Sequence, residues 1–87
     1  MTQITIHPAG ELTAMGRQYV AVAGGKVLAT HYCSSDEFAK NDLGMYPPEN
    51  TFEPSAMLAR ERRAKYDELF PDGWEISFSP EVFWIEW

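Results

Sequence analysis

Along Trp74-Glu75-Ile76-Ser77-Phe78 apolar and polar residues alternate strictly. That period of two places Trp74, Ile76 and Phe78 on one face of a β-strand and Glu75 and Ser77 on the other. A further strand is expected over 81–87, with Phe83, Ile85 and Trp87 on one face and Val82 and Trp84 loading the opposite one. A small domain seldom covers both faces of a terminal strand. Trp84 is therefore either buried under a helix or part of a contact surface, where tryptophan contributes large, rigid area.

Two earlier segments alternate in the same way. Ile4 and Ile6 share one face of a short N-terminal strand over 2–7, which Pro8 and Gly10 are expected to end. Residues 17–23 and 26–32 flank Gly24-Gly25, and a glycine pair supplies the positive φ values of a two-residue hairpin turn. In that register Val22 faces Val27 and Val20 faces Ala29. Val20, Val22, Val27, Ala29 and His31 then form the core face, with Tyr19, Ala21, Leu28, Thr30 and Tyr32 opposite.

The middle of the chain changes period. Ser34-Ser35-Asp36-Glu37 has the spacing of a capping box and Gly44 stands where a helix would stop, predicting a short helix over 35–43 with Phe38, Ala39 and Leu43 inward. The prolines at 47, 48 and 54 make residues 45–54 a connection. A second helix is predicted from Pro54 to about Phe70, stopped by Pro71-Asp72-Gly73. Leu58, Ala59, Tyr66, Leu69 and Phe70 line its apolar stripe, and Arg62 sits within it, snorkelling along the core edge or meeting a carboxylate. The order βββ-α-α-ββ predicts an α+β fold: one antiparallel sheet of about five strands with both helices on one face, and residues 1–87 forming a single domain.

Charge narrows the choice of partners. The 87 residues carry a net charge of −6 with 45% hydrophobic and 14% aromatic residues, a composition that folds rather than remaining disordered. The acid lies in two blocks, 34–53 and 71–87, each summing to −4, on either side of a helix that sums to +1. Such a field repels phosphate backbones and favours a basic protein or nucleoprotein complex, so direct nucleic-acid binding is not expected. Cys33 is the sole cysteine, which fits a reducing cytoplasm. No signal-peptide pattern and no apolar run of membrane-spanning length is present, and no membrane association is expected.

Candidate chemistry is sparse. His31 and Cys33 share a strand face, and His7 could join them, but structural zinc wants four ligands in tighter clusters. A Cys33 nucleophile with His31 as base would lack an oxyanion hole and an orienting group. Asp67-Glu68 and the Glu81, Glu86 pair have no surroundings that would desolvate one member. Gly24-Gly25 lacks the spacing of a phosphate loop. The expectation is a non-enzymatic chain with no cofactor and no metal.

In length, acidity, single-domain character and lack of catalytic motifs, the chain resembles the small phage and mobile-element proteins that counter bacterial defence, of which anti-CRISPR proteins are the best-known class. That resemblance implies a stoichiometric inhibitor, acting in the host cytoplasm, whose carboxylates occupy a basic nucleic-acid channel while aromatics anchor the contact. The residues expected at such a contact are Asp36, Glu37, Asp42, Glu49, Glu81, Trp84 and Glu86. The alternative is a small interaction or regulatory domain that homodimerises through its C-terminal aromatic strand.

Overall fold

In the computed structural model, which describes every residue except 48, 50–52 and 85–87, Gly24 and Gly25 take φ values of +58° and +78°. They close a hairpin between β2 (Gly16–Ala23) and β3 (Lys26–Cys33), as the sequence predicts. The register departs from the simple expectation. Val22 pairs with Val27, but Ala21 pairs with Ala29, so Leu28 is the extra residue of a β-bulge. Leu28 and Ala29 both reach the main core beside Tyr19 and Ala21. Val20 and Val22 are left in a second, smaller cluster with Ala9, against which Val27 and Phe83 pack. The expected core face is thus split, and the main core lies on the Tyr19 and Ala21 side.

The N-terminal strand runs on past its expected end. β1 (Thr2–Thr13) continues through Pro8 because of where the missing N–H points. The Ile6 and Pro8 carbonyls accept bonds from Ser79 and Phe83, so alternate residues of β1 aim their backbone groups at the C-terminal segment. At Pro8 that neighbour is no longer a regular strand, so the absent donor breaks no ladder.

Among the described residues the sheet has four strands in the order β3-β2-β1-β4 and is mixed, where one antiparallel sheet of about five strands was expected. β4 (Trp74–Phe78) pairs parallel with β1, Ile4 opposite Ile76 and Ile6 opposite Phe78. The reason lies in the connection. Two helices, α1 (Asp36–Asp42) and α2 (Ser55–Leu69), carry the chain from one edge strand to the other. A helical crossover of this kind delivers the next strand parallel. The expected last strand is absent from the described residues: 81–84 are irregular, and 85–87 lie outside them.

Both helices pack on one face, through Ala39, Leu43 and Tyr66. α1 is capped by Ser35, one residue later than the capping-box reading: its side chain accepts from the Phe38 N–H. This places Phe38 outward, 56% exposed, where a core position was expected. On α2, Ala56, Ala59 and Tyr66 are buried while Leu69 is exposed. Among the described residues Arg62 meets no carboxylate; its Nη2 lies 3.4 Å from the Thr30 carbonyl on β3, and Lys65 donates to the neighbouring Leu28 carbonyl. Those two cations cover the outer edge of β3.

Candidate interaction surface at one end of the sheet

The strand register brings the first turn of α1 and the segment 79–84 to the same end of the molecule, on opposite sides of the sheet. Tyr19 pairs with His31 and Arg17 with Cys33, so α1 begins over the end of the sheet where β1 and β2 turn. Tyr19 Oη donates to Asp36 Oδ1 at 2.6 Å, fixing the first turn of α1 there. The C-terminal segment passes the same level: the Phe83 N–H donates to the Pro8 carbonyl at 2.8 Å, and Pro8 pairs with Tyr19. On the side away from the helices His7 anchors that segment. Its Nδ1 lies 3.0 Å from the Glu81 carbonyl, and its ring stands 5.8 Å from that of Phe83.

The expected contact residues divide on this geometry. Asp36 and Glu37 are exposed on the first turn of α1, where carboxylates also suit the helix dipole. Lys40, at 2.8 Å, and the Tyr46 hydroxyl hold the Glu37 carboxyl below its usual range, so it remains ionised at neutral pH. Glu49 and Glu81 are exposed, and Trp84 presents 70% of its surface to solvent. Trp84 is therefore not covered by a helix. Asp42 is different: it is only 6% exposed and its Oδ2 lies 2.9 Å from His31 Nε2, with Asn41 Nδ2 3.2 Å from its other oxygen. It faces the interior and ties α1 to β3. Glu86 lies outside the described residues.

Sequence reasoning missed the apolar part of this surface. The end of β1 and the turn into β2 carry Leu12 and Met15, 69% and 81% exposed, and Tyr32 on β3 is half exposed beside them. Thr13 Oγ1 links the two, lying 3.0 Å from Tyr32 Oη while accepting from the Met15 N–H. With Phe38 and Trp84, these residues leave large apolar side chains uncovered at the end of the sheet that also carries Glu11, Asp36, Glu37 and Glu81. The available sequence signal was the absence of alternation over 9–15, which marks a projecting turn but not its exposure.

Elsewhere the groups weighed for chemistry are engaged in structure. Cys33 Sγ lies 3.5 Å from the Ser35 carbonyl, and burial pushes its thiol up, away from the reactive thiolate. Among the described residues no three His, Cys, Asp or Glu side chains converge as metal ligands, and no helix is long and apolar enough to cross a membrane. A cleft of about 260 Å³ opens at the opposite end of the molecule, between the β2–β3 turn and the end of α2, lined by Leu28, Leu69, Phe70 and the two lysines Lys26 and Lys65. The chain matches no protein-family model, and neither curated proteins nor solved structures show significant similarity to it.

Proposed function

We propose that this chain is a non-enzymatic binding protein of phage or mobile-element origin that blocks a basic nucleic-acid-binding surface of a host defence complex, in the manner of an anti-CRISPR protein. The observation that carries the binding part of this reading is the convergence of exposed apolar side chains and carboxylates on one end of the sheet. Leu12, Met15, Phe38 and Trp84 offer area that water disfavours, and Glu11, Asp36, Glu37 and Glu81 are exposed at the same end. A partner complementary to this surface presents Lys and Arg around an apolar depression. A protein groove that holds a phosphate backbone by its cations and bases by stacking has that character. The origin and the class of target rest on the resemblance in size, acidity and single-domain character.

The test is inhibition of DNA binding by purified RNA-guided effector complexes, with the chain added in stoichiometric amounts. DNA binding is expected to fall as the chain saturates the complex. Affinity of the chain should weaken with salt, and Glu37→Lys or Glu81→Lys should slow association. Trp84→Ala should chiefly raise the dissociation rate, by the equivalent of about 2 kcal/mol. Salt-independent affinity together with unaffected charge-reversal variants overturns the basic-partner reading.

A further inference from the structure

The two edges of the sheet are treated differently. On β3 the outward carbonyls of Leu28 and Thr30 receive Lys65 and Arg62. On β4 no described residue does the same. The Thr2 N–H donates to the Gly73 carbonyl and the Ser79 N–H to the Ile6 carbonyl. Alternate residues of a strand point their backbone groups in opposite directions, so those of Gly73, Glu75, Ser77 and Ser79 face β1. The N–H and C=O groups of Trp74, Ile76 and Phe78 therefore face away from the sheet. Their side chains lie on the helix face but are only partly buried.

We propose that β4 is the dimerisation edge of this protein, and that its occupant is β4 of a second copy, antiparallel about Ile76. The apolar-polar-apolar-polar-apolar pattern of Trp74-Glu75-Ile76-Ser77-Phe78 reads the same in reverse, as a two-fold contact requires. With Ile76 on the axis, Trp74 stands opposite the partner's Phe78, and Glu75 opposite the partner's Ser77. Every outward-facing residue then meets an outward-facing residue, giving about six backbone hydrogen bonds. A register displaced to centre on Glu75 would oppose two carboxylates.

The flanking charges are balanced in this register. Lys40 lies 4.9 Å over the Phe78 ring, Arg63 lies 4.9 Å over the Trp74 ring, and the Trp74 indole N–H donates to Asp67 at 2.9 Å. Setting Phe78 against the partner's Trp74 brings Lys40 towards the partner's Asp67 and the partner's Arg63, so attraction offsets repulsion at both symmetry-related ends.

Sedimentation from micromolar to millimolar concentration reads the association directly. A concentration-dependent shift from monomer to dimer mass is expected. It should strengthen with added salt, which screens repulsion between chains of net charge −6; salt weakens the proposed inhibitory contact, so the two readings fail separately. Ile76→Pro removes an outward N–H at a position where an edge strand tolerates proline, and should abolish self-association while the monomer stays folded. Should that variant not fold, hydrogen exchange in the wild-type chain decides. The amides of Trp74, Ile76 and Phe78 should slow as concentration rises, while those of Glu75 and Ser77 stay slow throughout. A monomer at millimolar concentration, concentration-independent exchange at the three outward amides, or dimerisation that survives in folded Ile76→Pro overturns the proposal. Protection of those amides only when a different protein is added does so too.

Discussion

Tyr19 is 98% buried from solvent except for the hydroxyl bond it donates to Asp36, which joins a central strand of the sheet to the first turn of α1. Burial, and then the Asp36 carboxylate, push the Tyr19 phenol well above its ordinary range. Burial likewise pushes Tyr66, whose hydroxyl donates to the Leu43 carbonyl, up to about 12. An unfolded tyrosine titrates near 10. Between about pH 10 and pH 12 the unfolded chain therefore releases these protons more readily than the native one. The stability tied to the neutral phenols is complete below pH 10 and is lost as pH rises through that window. Denaturant unfolding measured at rising pH should show this loss, roughly 2 to 3 kcal/mol from Tyr66. In absorbance titrations of the native chain Tyr19 and Tyr66 should ionise above pH 10, and their ionising near pH 10 would contradict the packing.

Gly16 is the glycine least able to accept a side chain. Its φ is +125°, and an added Cβ would collide with the Cys33 carbonyl and the Ser34 Cα on the neighbouring strand. Gly24 also has positive φ, but nothing stands within 4 Å of its would-be Cβ. Gly24→Ala should thus cost only the local backbone term, about 1 kcal/mol. Gly16→Ala must also separate two strands, and should cost about 3 kcal/mol or more. Urea midpoints of the two variants check this, and equal losses would mean that the close approach of β2 and β3 is wrong.

The His31 and Asp42 pair predicts a stability effect, not a binding one. Asp42→Ala leaves His31 and Asn41 without their partner under α1 and should cost about 1–3 kcal/mol. Cys33→Ser and His31→Gln should lose some stability and keep partner binding. An Asp42→Ala chain that melts like wild type but no longer binds its partner would return this carboxylate to the contact surface.

Much of the fold was legible because it is written in local signals. The glycine pair set the β2–β3 turn, strict alternation located β4, and the Pro71-Asp72-Gly73 stop ended α2 close to its observed last residue. What failed depended on distant partners. The bulge at Leu28 carried Ala29 to the face of Tyr19 and Ala21, which is the core side of β2 because Ile6 of β1 stands opposite Ala21, and no local pattern distinguishes Leu28 from its neighbours. β1 passes through Pro8 only because the C-terminal segment lies beside it without a regular ladder. Asp42 and Arg62 looked like surface charge and stripe interruption until β3 supplied His31 to one and the Thr30 carbonyl to the other. At the candidate surface the carboxylates were visible as a charge block, whereas the exposure of Leu12, Met15 and Phe38 follows from topology alone.

Phe38 separates those two levels of reasoning. As a core residue of α1 it would cost about 3–5 kcal/mol to truncate. As an exposed side chain on the first turn it should be replaceable by Ser within about 0.5 kcal/mol. The Leu12→Ser, Met15→Ser double variant should behave the same way in urea, because neither side chain is packed in a buried cluster. If the surface binds a partner through these residues, all three replacements should nevertheless raise the dissociation rate, since each removes apolar area that becomes dry only in the complex. Stable variants with unchanged dissociation would move the contact to another part of the molecule. A Phe38→Ser chain that unfolds would show that α1 sits one residue differently, with its apolar side turned into the sheet.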